Sequence, residues 1–306
     1  MKISEITENL KKLLDNEMRL RRGKECDLSV LEDFLSEYNV YPKVKEDFRK
    51  DHGELQRLKN QNLIIDWALT YVDSHPCSEI RFIAEPIRSI IWKYAGIKCD
   101  DFSKLHIGKG VRFFNPNNIT LATCGYDIFF AGLRAPAFLD GRSRIVIFGP
   151  ATFGGGVKIF THEHLLNNPN LLHWEQGRVY VPCLIYPDCF VGEDVHIFGK
   201  LEVKTVLADM TVKRPRKVLP PYSIIGGIGK DFRVIRNIDF PQAFPPKHLL
   251  EALKNVKSFS YKLGALLEKY YKLVKELSQT PGDRIENWKL IRDELTAVEK
   301  KVLEEL

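Results

Sequence analysis

Isoleucine, valine or phenylalanine recurs every six residues through the middle of the chain. Ile107, Phe113 and Ile119 form one run, Ile147, Phe153 and Ile159 a second, and Ile185, Val191, Ile197 and Val203 a third. A helix repeats its apolar face about every 3.6 residues and a strand about every 2, so this period belongs to neither alone. It is the spacing of a parallel β-helix, where short strands turn at fixed intervals and inward residues of successive coils stack. Several of these residues precede glycine, as in Ile107-Gly108, Phe153-Gly154 and Val191-Gly192, and glycine suits a tight corner. Two stretches interrupt the period. Residues 125–143 read as an irregular coil or loop, and residues 163–181 as an excursion from the coil. The coils near 204–216 also look irregular, and Tyr186 stands where a corner glycine is expected.

On either side the pattern turns helical, giving a mainly β fold with α extensions. Residues 1–104 read as an N-terminal helical region. Leu10, Leu13, Leu14 and Met18 have helical spacing, as do Ile64, Ile65, Ala68, Leu69 and Val72. A further amphipathic helix around Pro86 should be kinked or interrupted there, because proline lacks the N–H and crowds the preceding turn. Residues 105–236 form the β-helix segment. Residues 237–306 read as a C-terminal helical hairpin: Leu249, Val256, Leu263, Tyr270 and Leu277 are seven apart, with Phe259, Leu266 and Leu273 offset by three. After a turn at Pro281-Gly282, a second seam carries Trp288, Ile291, Leu295, Val298 and Val302. Such a seam suits a hairpin packed within one subunit or a coiled-coil contact between subunits, the first being the simpler.

Composition narrows the class only slightly. The six cysteines are scattered without a CxxC pair, which argues against a disulfide framework or a zinc site and fits a reducing cytoplasm. The charged N-terminus lacks the apolar core of a signal peptide, and no apolar run is long enough for a membrane span. Charge is more informative. The chain carries a net +6, and Lys213, Arg214, Arg216, Lys217, Lys230, Arg233 and Arg236, opposed by Asp231 alone, give one segment an equal excess. That cluster asks for an anionic partner, but no nucleic-acid motif accompanies it.

Four segments sharpen the reading: HIGKGVRFFNPNNITL (106–121), VKIFTHEH (157–164), WEQGR (174–178) and KVLPPYSIIGGIGKDFRVIR (217–236). Together they resemble the left-handed β-helix hexapeptide-repeat acyltransferases, in the branch of the maltose and galactoside O-acetyltransferases. The first is similar to that branch's opening coil, the second to the strand bearing its catalytic histidine, and the third to a glutamate segment after the substrate loop. The last is similar to its closing signature, although Gly227 to Phe232 replaces a shorter turn. The resemblance implies a homotrimer of left-handed β-helices, acetyl-CoA as co-substrate, no metal, and a sugar or glycan hydroxyl as acceptor.

Chemistry and resemblance together mark the candidate residues. Acyl transfer to a hydroxyl needs a base that titrates near neutrality, and an imidazole does so. His162 is the first choice. His164, two residues on and on the same face of a continuing strand, is the second. Glu175 could accept the other imidazole N–H, or be a solvated loop glutamate. Asn117 and Asn118 match the strand that contributes to the acceptor pocket, but Asn-Pro-Asn-Asn is also ordinary turn chemistry. Trp174 could stack on a sugar ring or pin its loop. For the donor, the resemblance points to the corner at Gly192, to Gly227, and to Lys213, Arg214, Arg216, Lys217, Lys230 and Arg233, whose charges suit the phosphates of coenzyme A. Two other readings stay open: an N-acetyltransferase or serine-type relative, and a β-helix scaffold without catalysis.

Overall fold

The structure, a computed structural model, describes residues 65–66, 68–70, 72–74, 78, 81–132, 135–165, 169–171, 175–214, 217–227, 233–280 and 282–306. The helical spacing read at Leu10 to Met18 lies outside them. Helix α1 (Arg81–Tyr94) runs through Pro86 rather than ending there. Its apolar face, with Ile87, Ile90, Ile91 and Trp92, joins Ile65, Leu69 and Val72 in a core shared with the first strands. Trp92 meets Phe113 edge to face, with centroids 4.8 Å apart.

From there the strands circulate among three sheets. After β1 (Lys98–Cys99), one round holds β2 (Leu105–Ile107), β3 (Arg112–Phe114) and β4 (Ile119–Ala122), and the next β5 (Ile128–Phe130), β6 (Phe138–Asp140) and β7 (Ile145–Phe148). The third begins with β8 (Ala151–Phe153) and β9 (Lys158–Phe160), then leaves the stack as an antiparallel hairpin, β10 (His162–His164) with β11 (Arg178–Tyr180). It resumes with β12 (Cys183–Ile185), followed by β13 (Cys189–Val191), β14 (His196–Phe198), β15 (Thr205–Leu207), β16 (Val212–Lys213), β17 (Ser223–Gly226) and β18 (Arg233–Asn237). The sheets have orders β1-β4-β7-β12, β2-β5-β8-β13-β15-β17-β18 and β3-β6-β9-β14-β16. Every pairing among them is parallel except β17 with β18, which is antiparallel.

Register explains the six-residue period. Ile107, Phe130, Phe153, Val191, Leu207 and Ile225 are successive partners in the second sheet, all buried in one core. Burying one such side chain contributes roughly 1.5–3 kcal/mol, so the column is a principal source of stability. Truncating Phe153 to alanine would cost about 3–5 kcal/mol. The corners stay tight because little fits there: a Cβ on Gly192 would lie 2.2 Å from Asp209 Oδ1 and 2.8 Å from its backbone nitrogen.

Several expectations change. Residues 125–143 contain two regular strands, β5 and β6, with Phe130 and Leu139 in register with both neighbouring rounds. Val203 is not an inward residue of the stack; Leu201 is, bridged to Ile185 and buried in the inner core. The corner after Ile197 is two residues short, and the period resumes from Leu201 through Leu207, position 213, Leu219 and Ile225. The coils near 204–216 look irregular because the inward partner of Ile197 is Lys213.

Three helices rather than two cover the outer face of the first sheet: α2 (Lys247–Phe259), α3 (Tyr261–Gln279) and α4 (Arg284–Glu305). The heptad seam breaks at Ser260, whose side chain caps α3 by accepting from the Leu263 N–H. Leu249, Val256, Leu263, Tyr270 and Leu277 are buried against Val146, Phe148, Leu184 and Val203 within the one chain. Tyr186 is thus no failed corner. Its ring stacks on Tyr270 with centroids 3.5 Å apart, and its hydroxyl donates to Glu299 at 2.9 Å.

Candidate functional site

Register brings Phe114, Asp140 and Phe160 side by side in the third sheet, in one outward column. His162 follows Phe160 by two residues and starts the hairpin, so it leans back over the preceding round. There Asp140 Oδ2 lies 2.8 Å from His162 Nδ1, and the carboxylate is almost wholly buried. Thr161 fixes the approach from below. Its hydroxyl donates to the Asp140 carbonyl and accepts from the Ser143 N–H at 2.8 Å, clamping the two rounds together.

Arg142 completes the cluster. Its backbone N–H donates to Asp140 Oδ1 at 3.2 Å, its Nε lies 3.6 Å from the same oxygen, its guanidinium stands 5.3 Å from the Phe114 ring centre, and its Nη1 packs against the His162 ring, nearest Nε2 and 3.4 Å from Nδ1. A carboxylate accepts, so in the neutral imidazole the proton sits on Nδ1 facing Asp140 and the lone pair on Nε2. Burial and then the Arg142 charge hold the His162 pKa below the usual imidazole range, against the opposing pull of Asp140. This is an imidazole oriented at one nitrogen and basic at the other, the arrangement a general base requires.

The expected carboxylate partner is corrected. Glu175 is exposed in the turn before β11, and both nitrogens of His162 are met instead by Asp140 and Arg142. His164 lies beside His162, with ring centroids 5.4 Å apart, and its backbone pairs with Arg178. Asn118 donates to the Gly141 carbonyl at 2.8 Å and accepts from Arg144, so it braces the Asp140–Arg142 corner. Asn117 instead sets its side-chain oxygen against Gly96, which follows α1. Trp174 lies outside the described residues.

Among the expected donor contacts, Lys213 is corrected most plainly. It is fully buried at an inward register position, its Nζ donates to the Phe198 carbonyl at 3.1 Å, and burial pushes its pKa down to about 7. It faces no solvent and cannot meet a phosphate. Gly192 donates its N–H to the Leu207 carbonyl across the corner. Arg214, Lys217 and Arg233 are exposed, and Gly227 is partly exposed with a φ of +105°. Arg216 and Lys230 lie outside the described residues. Among the described residues, no group of three or more His, Cys, Asp or Glu side chains could hold a metal ion, and no helix is long and apolar enough to cross a membrane.

Asp140 and Arg142 were missed by sequence reasoning because they fall in the stretch read as a loop. Threading that stretch as a regular round would have set Asp140 beside Phe160 and hence under His162.

No family model matches the chain, and no curated protein matches it. Solved structures do resemble it. A hexapeptide-repeat containing acetyltransferase from Vibrio cholerae, in complex with acetyl coenzyme A, matches with TM-score 0.45 and 15% identity, over 64% of this chain and 99% of that one. A galactoside acetyltransferase in complex with coenzyme A matches with TM-score 0.43 and 16% identity, over 64% and 90%. An N-acyltransferase from Bacillus cereus, in complex with dTDP and coenzyme A, matches with TM-score 0.34 and 15% identity, over 51% and 88%. The suspected likeness to hexapeptide-repeat acetyltransferases is thus met in solved structures. The functional reading rests on this chain's own residues.

Proposed function

We propose that the protein is an acetyl-CoA-dependent O-acetyltransferase, acting on a sugar or glycan hydroxyl, with His162 as general base. The stack is read as a left-handed β-helix that assembles as a trimer. The observation that carries the function is His162 held at Nδ1 by buried Asp140, which leaves Nε2 as the nitrogen free to act as base. In this reading His162 takes the proton of the acceptor hydroxyl, and the oxygen attacks the thioester carbonyl carbon. The imidazolium then returns the proton to the departing sulfur, so no net charge accumulates. His164 would contact the acceptor rather than act as base.

Exposed Arg214, Lys217 and Arg233 fit the donor, since guanidinium and ammonium groups suit the phosphates of coenzyme A. The test is release of the coenzyme A thiol from acetyl-CoA. It should depend on an added hydroxyl acceptor and fall sharply in His162→Ala. Turnover indifferent to that change would remove the reading.

A further inference from the structure

A cavity of about 510 Å³ opens beside the His162 cluster, and its far wall belongs to α4, outside the stack. Its near wall begins at Ser143 and Arg144, directly after Arg142, and continues with Tyr180, the register partner of His162. The Ser143 N–H is the one bonded to Thr161, so this wall and the base are held by the same clamp. Lys200, Arg292 and Lys300 add three cations to the lining, against the two carboxylates Glu299 and Glu304.

The charges of this lining are unequally engaged. Lys200 is buried and tied to Glu299, which also accepts from Tyr186. Arg292 Nε reaches Glu202 Oε1 only at 3.9 Å, and Lys300 stands 3.9 Å from Glu304. Arg144 bonds a neutral amide, the Asn118 oxygen at 3.3 Å, and no carboxylate among the described residues lies within ion-pair distance of it. Glu202 keeps one carboxylate oxygen buried without a partner among the described residues. Arg144 is therefore the lining cation with charge to spare, on the wall nearest the base.

A second observation points the same way. Arg142 packs against the His162 ring, its Nη1 nearest Nε2, the nitrogen turned away from Asp140. An acceptor bearing negative charge would meet a further cation beside the base.

Resting on the acyltransferase reading above, we propose that the acceptor is anionic. Its carboxylate or phosphate sits in the cavity between the hairpin root and α4, held by Arg144 and Arg292. The C-terminal helices are then part of acceptor selection rather than a passive cover for the first sheet.

The experiment compares methyl glucoside, glucuronate and glucose 1-phosphate as acceptors for the full chain, with acetyl-CoA as donor. At least one anionic acceptor should exceed methyl glucoside in kcat/KM by about tenfold, and the two arms tell carboxylate from phosphate. Arg144→Gln and Arg292→Gln, both at sites with some solvent access, should erase that preference through the acceptor KM and leave the acetyl-CoA KM in place. Equal use of all three acceptors would overturn the proposal while leaving the acyltransferase reading intact. A rise in acetyl-CoA KM instead would assign the cavity to the donor and also overturn it. If no acceptor turns over, calorimetric binding of glucose 1-phosphate to wild type but not to Arg144→Gln still supports the cavity, and no binding to either rejects it. Failure of the acyltransferase reading is separate: acetyl-CoA then neither binds nor reacts in a way that depends on His162.

Discussion

Asp140 and His162 come from different rounds of the stack, yet Asp140 Oδ2 sits 2.8 Å from His162 Nδ1. The contact exists because Asp140 is in register with Phe160, two residues before the histidine. A carboxylate so placed fixes the tautomer and stabilises imidazolium as the proton arrives.

The dyad should therefore fail in two distinguishable ways. His162→Ala should lower turnover by about 10²–10⁴-fold, the usual loss for a general base. Asp140→Asn should keep the fold and lower turnover by about 10–100-fold or more, as expected for a group that orients another. Acetyl-CoA affinity should be unchanged in both, and His164→Ala should cost less than either. Steady-state kinetics with each variant check this, and a harmless Asp140→Asn would break the link between the dyad and catalysis.

Arg142 makes a second, independent prediction about pH. The His162 pKa lies below the ordinary imidazole value, through burial and then the Arg142 charge. The basic form thus persists to lower pH, and kcat/KM should hold on the acid side further than for an unperturbed imidazole. Arg142→Met removes a cation that disfavours protonation and leaves Asp140, which favours it, so the acid limb should move to higher pH. A pH profile of kcat/KM measures the shift; an unmoved or lowered limb would refute the assigned contact.

Much of this was legible before the structure. The recurrence at Ile107, Phe153 and Val191 announced a stacked coil because inward positions must be apolar to fill a dry interior. His162 was marked out because its strand, VKIFTHEH, resembles the one bearing the family's catalytic histidine; titration near neutrality alone does not single it out among eight histidines. Asp140 was not, since a carboxylate is identified as a partner only through register, and register across rounds depends on loop lengths that the period does not count. Lys213 misled in the opposite direction. Its neighbours Arg214 and Lys217 are exposed, and charge alone does not reveal which residue of a basic run points inward. Val203 took an inward place because the corner after Ile197 is shortened, a change of two residues that shifts every later assignment.

The donor assignment predicts a split within the basic run. Reversing the charge at Arg214, Lys217 or Arg233, one at a time, should raise the acetyl-CoA KM, by a few-fold where the contact is solvent-exposed, with little effect on the acceptor KM. Dephospho-coenzyme A as competitor would report whether the 3′-phosphate is the group lost. Unchanged donor affinity in all three variants would leave these side chains as a solvated face.

The proposed trimer has its own check. Light scattering at micromolar concentration should give three times the mass of the 35.3 kDa chain. The helices bury most of their heptad seam inside one chain, Phe259 excepted, which leaves little of it to drive a coiled-coil dimer. A stable monomer would contradict the assembly, and a dimer would move the contact elsewhere.

Lys213 offers the sharpest test of the fold itself. Its ammonium is buried at the inward position below Ile197, and burial brings its pKa down to about 7 from the ordinary lysine value of 10.5. In the unfolded chain the same group stays protonated to far higher pH. Between these two values the unfolded state binds more protons than the folded one, so stability should rise with pH across that window. Below about pH 7 both states are charged and the full cost of the buried ammonium is present. Lys213→Met keeps the volume and removes the charge. Replacing buried ionic groups by apolar ones of similar size is often neutral or stabilising by about 1–4 kcal/mol. At pH 6 the variant should therefore be at least as stable as wild type. Its stability should also lose the rise with pH that the native chain shows from neutral to alkaline conditions. Denaturant unfolding at several pH values measures both quantities. A strong loss of stability at pH 6 would mean that the ammonium is needed to balance buried Glu202, whose Oε2 has no partner among the described residues. That outcome would make Lys213 an ionic part of the core rather than a cost carried by it.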